Sequence, residues 1–479
     1  MSEPAGLAGD PAEEWDAVVV GGGIAGLVAA RELALTGNRT CLIEAAAALG
    51  GCVARHTVAG LDLDRGAESF ATRNPSVERL AAALGLQDRV VTPEPLGSWV
   101  LNRRGVAPMP ATGLLGIPAR VWSADVRRAV GLVGAARASI GDRLPRRVGT
   151  HAAAGGTTSL GRLVRTRMGA RVLRDLVAPV VSGVYAADPD QLDVDAAAPG
   201  LRAAVEHEGT LAKAVGSLRA AAPPGALVGG LAGGMTELVL ALEADLRARG
   251  VRLRTGTPVT AIQRDGERWL VHAEGVTARA DVVMVCTPGT VAARLLAIAA
   301  PSLVGTIGPE PTPIVLATLV VRAPELDRAP RGTGILVARE VTTVVAKAMT
   351  HGTAKWSWLR EAAGPGRHVL RLSYGRAGEE TRVPGSDDEF AALALRDASR
   401  LLGVELTAGQ LEGFARTEWP DALPQPLPGQ RAVALAARDE LRRLPGVDVA
   451  GGWIAGSGLA AVVADAESAA RLLIGPSDR

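Results

Sequence analysis

Aromatic residues are scarce in this 479-residue chain: Phe, Tyr and Trp together make up 3% of it, with two tyrosines and three phenylalanines. Ala, Gly, Arg and Pro are correspondingly frequent, and apolar periodicity persists along the chain, so the bias is one of composition and not of disorder. Cysteine is scarcer still. Cys41, Cys52 and Cys286 are odd in number and far apart, which excludes a disulfide framework and metal-ligand spacing and suits a reducing cytoplasm. The six histidines are scattered, and no metal site is expected. No excess of one charge sign exists either. The formal charge is +2 with arginine spread along the chain, which argues against nucleic-acid binding. No stretch reaches the roughly 20 apolar residues of a bilayer span, and Met1-Ser2-Glu3-Pro4 lacks the basic and apolar regions of a secretory signal. What is left is a cytoplasmic, globular chain long enough for two or three domains.

After a tail over 1–14, the pattern reads strand, glycine turn, helix, strand. Val18–Val20 is an unbroken apolar run, as in a parallel strand buried on both faces. The helix from about Ile24 to Thr36 is stopped by Gly37, and Thr40–Glu44 forms the second strand. Between Pro93 and Asp195 the reading is helical, with helices over 124–138 and 159–178, the latter stopped by Pro179, and no convincing strands. Strands return at 251–254, 259–264 and 268–272, with a hairpin turn at Asp265-Gly266, and again at 281–286. A mixed segment fills 291–420. The chain closes with a strand at 447–450, a glycine-rich turn and a helix over 458–473.

Gly21, Gly23 and Gly26 spell G-x-G-x-x-G directly between the first strand and helix. The first glycine permits the tight turn, the second lets the backbone approach a pyrophosphate, and the third lets helix and strand pack closely. The helix N-terminus offers unpaired N–H groups and a partial positive charge to a phosphate. Glu44 ends the second strand, where a carboxylate accepts hydrogen bonds from ribose hydroxyls and disfavours a 2′-phosphate. A second glycine bend, Leu49-Gly50-Gly51, and the run Asp64-Arg65-Gly66-Ala67-Glu68-Ser69 suit FAD, whose path is longer than that of NAD. Gly451–Leu459 supplies a further helix N-terminus that could face the flavin's N1–C2=O edge and stabilise negative charge there.

With these segments in hand, the chain resembles the protoporphyrinogen/coproporphyrinogen oxidase family from Asp16 to about Ile474. The more specific matches are Arg65–Phe70, Val181–Asp188, Gly332–Val337 and Trp419–Gln425, in the family's order. The resemblance implies an α/β fold of the amine-oxidase-like, two-dinucleotide-binding-domain kind. A Rossmann-type FAD-binding domain would be assembled from 14–92, 225–290 and 421–475, with a helical, membrane-binding-like insertion over 93–210 and a mixed α/β substrate domain over 291–420. Its flavin contacts carry over onto Gly21, Gly22, Gly23, Ile24, Ala25 and Gly26, onto Glu44, Ala45 and Gly51, onto Gly66, Ala67, Glu68 and Ser69, and onto Val259, Trp419, Gly458, Leu459 and Ala460. The cofactor implied is non-covalent FAD. Two positions depart from the family: Cys52 stands where it usually has a basic residue, with Arg55 near enough to substitute, and Asn74 replaces a second base.

The activity implied is oxygen-dependent oxidation of coproporphyrinogen III in haem biosynthesis, with protoporphyrinogen IX as the competing substrate. Six electrons leave in three hydride transfers to the flavin, and hydrogen peroxide is released. The shorter spacing of the bacterial soluble members favours the first substrate. Its propionates call for cations around an apolar cavity; Arg73 and then Lys347 are the candidates, with Tyr185 as a cavity wall. No catalytic base is named, because pyrrole N–H protons can leave to water. Peripheral membrane contact and hand-off to another haem-pathway enzyme stay open. So do an amine oxidase, which the few aromatics disfavour, a carotenoid desaturase, and a non-catalytic Rab-escort-like binding protein, for which Glu44 and the C-terminal glycines would be dispensable.

Overall fold

Val18 and Val20 face one core and Ala17 and Val19 another, because the strand Glu13–Val20 runs through the middle of a sheet covered on both sides. The computed structural model describes residues 12–150, 158–220, 227–303, 312–376, 378–379, 381–423, 427 and 429–474; residues 1–11 of the anticipated tail, and Pro424 and Gln425, lie outside them. The rest of that tail is not loose, since the strand already begins at Glu13.

Glu13–Val20 pairs in parallel with Thr40–Ile43 on one side and Val276–Val285 on the other. Arg252–Arg254 extends the parallel part beyond Thr40–Ile43. The antiparallel meander Val259–Asp265, Arg268–Ala273 and Val276–Val285 forms the other wing, its first hairpin turning at Gly266 with φ +63°. Val447–Val449 joins last, in parallel with Val283–Val285. Helices Ile24–Leu35, Thr236–Ala248 and Leu459–Leu473 cover one face through Leu27, Leu33, Leu242, Val463 and Ala466. Helices Gly289–Leu295 and Gln430–Leu441 cover the other, against Trp269.

A second sheet runs in the order Leu411–Leu423, Thr312–Arg322, Arg367–Tyr374, Ala348–His351, Gly334–Val337, Trp99–Asn102, Gly105–Pro108. All its pairs are antiparallel except Gly334–Val337 with Trp99–Asn102. One face buries Leu319, Leu370, Leu372 and Met349 under helix Asp387–Leu402. The other face packs Val320 and Val369 on the hairpin Arg55–Val58/Leu61–Asp64 and on Trp356 and Leu359. That contact is where the two sheets meet.

Two parts of the stretch expected to be helical differ. Trp99–Asn102 and Gly105–Pro108 form a hairpin at the edge of the second sheet, joined to it where Trp99–Leu101 pairs with residues 335–337. Pro179 closes no helix: helical turns run from Ala170 through the π-helical stretch Leu173–Val177 into Ala178–Tyr185, and the wider turn ahead of the proline accommodates its missing N–H. The break falls earlier, at Gly169 with φ +89°.

A Cβ placed on Gly26 would lie 1.8 Å from the carbonyl oxygen of Gly21. Backbone on both sides leaves no relief, so Gly26→Ala should lower stability by about 3 kcal/mol or more, read as a fall in the denaturant midpoint. A midpoint within error of wild type would show that helix and strand can separate at no cost.

Candidate active site

The glycines of the first turn divide into those that pack and one that opens. Side chains at Gly21 and Gly22 would meet the Cys286 carbonyl at 2.7 Å and the Leu49 side chain at 2.5 Å, whereas Gly23 has nothing within 4 Å of its missing Cβ. Gly23 is also the N-cap of helix Ile24–Leu35, and the first intrahelical bond runs from the Leu27 N–H to the Gly23 carbonyl. The N–H groups of Ile24, Ala25 and Gly26 therefore precede any helical acceptor and point at that open space. A phosphate fits there on two counts, room and donors.

Glu44 lies beside this turn. Its carboxylate accepts the N–H groups of Gly22 at 2.5 Å and Ala46 at 2.7 Å, while Ala45 is exposed. Gly50 donates to the Gly22 carbonyl, and Gly51 approaches so closely that its Cβ would be 3.2 Å from the Gly23 Cα. Val259 starts its strand two residues after Thr257, whose N–H bonds the Glu44 carbonyl. Cys52 contributes its carbonyl, which accepts from Ala67 N–H at 2.9 Å. Arg55 pairs with Asp62 at 3.5 Å on the neighbouring hairpin.

The second turn, Asp64–Ser69, is held from the other sheet. Arg371 donates to the carbonyls of Asp64 at 3.2 Å and Gly66 at 2.8 Å, and the Trp419 indole donates to Arg65 at 3.3 Å. The Glu68 carboxylate bonds Lys355 at 2.6 Å and Arg371 at 2.7 Å. Burial pushes that carboxyl up, but the charges of Arg371 and Lys355 outweigh it and hold it at about 2. The Glu68 side chain is thus committed to the second sheet, and only its backbone is left for a cofactor. Asp64 accepts from Met235 N–H, and its carboxyl is pushed up to about 7 by burial, with Arg371 opposing and Glu68 adding. Asp64, Glu68, Arg371, Thr318, Thr350 and Trp356 line a cavity of about 30 Å³, room for roughly one water.

Gly458 caps helix Leu459–Leu473 and, like Gly23, has nothing within 4 Å of its missing Cβ. Leu459 and Ala460 bury their side chains in the first core, and the Ala460 carbonyl accepts Ser76 Oγ–H at 2.5 Å and Asn74 at 3.3 Å. The departure to Asn74 therefore ties down this second helix start. Two open helix N-termini and a turn whose main chain is fixed between them suit a flavin dinucleotide.

Of the candidate substrate contacts, Arg73 and Tyr185 are near enough for the charge of one to act on the other. Arg73 is exposed, and its charge reaches the Tyr185 phenol, which burial pushes up and Arg73 pulls down. The phenol donates to the Ala197 carbonyl at 3.3 Å. Lys347 is elsewhere. Its strand neighbours alternate, with Thr350 lining the cavity and Met349 in the core under helix Asp387–Leu402; Lys347 shares the side of Met349. Lys347 is 1% exposed, and its ammonium has no hydrogen-bond partner and is pushed down to about 7 by burial and by Arg376. Lys355 and Arg371 were not singled out from sequence. The signal for Arg371 was available: it interrupts Val369-Leu370-Leu372 as the polar position of an alternating strand.

Lys347 yields a prediction. Its folded value lies below the ordinary 10.5, so the folded state binds the proton less well than the unfolded state. The cost is absent above about pH 10.5, grows as pH falls, and is complete below about pH 7. Lys347→Met should raise the melting temperature by on the order of 3 °C at pH 6, and by progressively less towards pH 10. A gain that does not depend on pH would place the ammonium in solvent.

The comparisons with known proteins agree with this geometry. The family model described as flavin containing amine oxidoreductase matches residues 24–474. The chain is 31% identical over 463 residues to coproporphyrinogen III oxidase of Mycobacterium tuberculosis, covering 95% of this chain and 96% of that protein. It is 28% identical over 458 residues to coproporphyrinogen III oxidase of Bacillus subtilis, covering 92% and 94%. A solved structure from Exiguobacterium sp. 255-15 that carries a provisional protoporphyrinogen oxidase name superimposes with a TM-score of 0.80, at 26% identity, over 96% of this chain and 98% of that one. With its glycine turns, its two sheets and these near-full-length matches, the chain belongs to the flavin-containing amine oxidoreductase family and within it is similar to the coproporphyrinogen III oxidases.

Proposed function

We propose that this chain is an FAD-dependent oxidase that converts coproporphyrinogen III to coproporphyrin III in haem biosynthesis, with dioxygen as oxidant and hydrogen peroxide as by-product. The observation that carries the reading is similarity to coproporphyrinogen III oxidases along 95% of the chain, together with the open helix N-termini at Gly23 and Gly458. Bound FAD would supply two-electron acceptance, in three rounds for the six electrons of a porphyrinogen.

The residues divide the work. The Gly23 turn and the start of its helix hold the pyrophosphate, and Glu44 accepts from the ribose. Gly66–Ser69 and Gly458–Ala460 would hold the ring, and the second helix start would favour negative charge on it. Arg73 anchors a propionate at the mouth, beside Tyr185. Pyrrole protons pass to water, so no side chain is assigned as base.

Protoporphyrinogen IX is the second reading, favoured by the 0.80 TM-score of the Exiguobacterium structure. Purified protein supplied with FAD should turn coproporphyrinogen III into a fluorescent porphyrin with stoichiometric peroxide. Its kcat/KM should exceed that for protoporphyrinogen IX, and Arg73→Ala should raise KM for coproporphyrinogen about tenfold with little change in kcat. Fluorescence no faster than autoxidation for either substrate sinks the assignment; a preference for protoporphyrinogen IX moves it to the second reading.

We also assign peripheral membrane contact to Ala124–Gly141, two helical stretches broken at Gly131 (φ +74°), and to the loop after them. Among the described residues no helix is long and apolar enough to cross a membrane. Leu132, Val133 and Ile140 are nevertheless 65%, 68% and 72% exposed, interleaved with exposed Arg127, Arg128, Arg143, Arg146 and Arg147. Apolar side chains among arginines suit an anionic lipid surface. The protein should sediment with phosphatidylglycerol vesicles at low salt, and Leu132→Glu/Ile140→Glu should abolish this; equal recovery with neutral phosphatidylcholine vesicles would contradict it.

A further inference from the structure

We infer that Arg371, together with Lys355 and Trp419, positions the flavin-contacting turn Asp64–Ser69 from the opposite sheet and so sets the reduction potential of the bound flavin. The inference rests on the flavin reading of Gly66–Ser69 given above.

Three successive carbonyls of that turn, those of Asp64, Arg65 and Gly66, all accept from the second sheet: two from Arg371 and the middle one from the Trp419 indole. A trans peptide points its N–H away from its C=O. Fixing three carbonyls towards one sheet therefore fixes the intervening N–H groups towards the other. Two of these already bond within the dinucleotide lobe, Arg65 to the Ala54 carbonyl and Ala67 to the Cys52 carbonyl. The turn is clamped on both sides at the place where no side chain fits: a Cβ on Gly66 would lie 2.1 Å from the Cys52 oxygen and 3.1 Å from the Trp419 ring.

Arg371 is the centre of the clamp, since its fork also binds Glu68, which Lys355 shares. A lysine ammonium could not span the two carbonyls and the carboxylate together. Thr318 and Thr350, from adjacent strands, line the same cavity as Arg371, so the guanidinium lies on the sheet face turned towards the dinucleotide lobe.

Charge gives the clamp a second effect. Around the turn stand Lys355, Arg371 and Arg65, the last over the Trp419 ring at 5.4 Å, against the carboxyls of Glu68 and Asp64. Arg65 is exposed, but Lys355, Arg371 and Glu68 are largely shielded from water, where charge acts over longer range, and with the Asp64 carboxyl pushed up by burial these groups carry a positive surplus. A positive surplus favours the reduced, more electron-rich flavin. Removing a cation should lower the potential, and removing the carboxylate charge should raise it.

The experiment is the midpoint potential and visible spectrum of the FAD-loaded protein for wild type, Arg371→Met, Lys355→Met and Glu68→Gln, with Arg322→Lys, on an exposed ion pair of the same sheet, as control. A tenfold change in the relative affinity for oxidised and reduced flavin corresponds to about 30 mV for a two-electron couple. Arg371→Met and Lys355→Met should shift down by at least that much, Glu68→Gln should shift up, and Arg322→Lys should match wild type. The opposite signs separate this role from a structural one, because loosening the turn would move all three variants the same way. If Arg371→Met does not retain flavin, Lys355→Met makes the same charge deletion with the carbonyl contacts intact. Wild-type potentials in the variants, or shifts of one sign, overturn the inference and leave the flavin reading standing; a wild-type protein that takes up no flavin overturns both.

Discussion

Gly26 stands where any side chain would collide with the Gly21 carbonyl, and the dinucleotide lobe is hung on that approach. With the first helix pressed against the end of the central strand, its N-terminus is aimed across the turn, and Leu27 and Leu33 reach the core that Leu459–Leu473 also fills. Move the helix outward, and both the donors around Gly23 and the seat of the last helix are lost. One missing methyl group thus serves packing and phosphate geometry together.

Charges are buried where pieces distant in sequence meet. Glu68, Lys355 and Arg371 join the two sheets. Arg438, bonded to Asp465 and to the Val449 carbonyl, joins the last strand to the two C-terminal helices. Arg31–Asp245 ties the first helix to Thr236–Ala248. Desolvation makes such pairs weak contributors to net stability, yet losing one partner costs about 3–5 kcal/mol. Their value is therefore in selecting one arrangement: a shifted docking of the lobes would leave several charges buried and unpaired.

How much of this was legible in the sequence follows from the range of each interaction. The strand Val18–Val20, the glycine spacing and Glu44 are local, and their patterning announces them. The hairpin Trp99–Asn102/Gly105–Pro108 joins the second sheet through residues 335–337, and nothing within the hairpin names that partner. Lys355 and Glu68 are 287 residues apart, so their pairing leaves no local trace. Lys347 is a different case, because its parity with Met349 and against Thr350 was there to be read; a lone cation in an apolar stretch was given a ligand when it had a core position. The exposed Leu132, Val133 and Ile140 were likewise hidden, since an apolar residue on a helix is ordinarily a buried one.

The first sheet has a bearing on how the protein is made. Val447–Val449 fills a place beside a strand that ends at Val285, and Arg471 bonds Glu32 across 439 residues of chain. A nascent chain on the ribosome therefore holds the Gly23 turn early but lacks the strand beside Val283–Val285, Gly458 and the helix that covers Ile24–Leu35 until residues 447–473 have been synthesised. During that interval the apolar face of the first helix is uncovered and exposed to misassociation. A flavin held between the two helix starts would thus report that the last helix has been made and seated against the first.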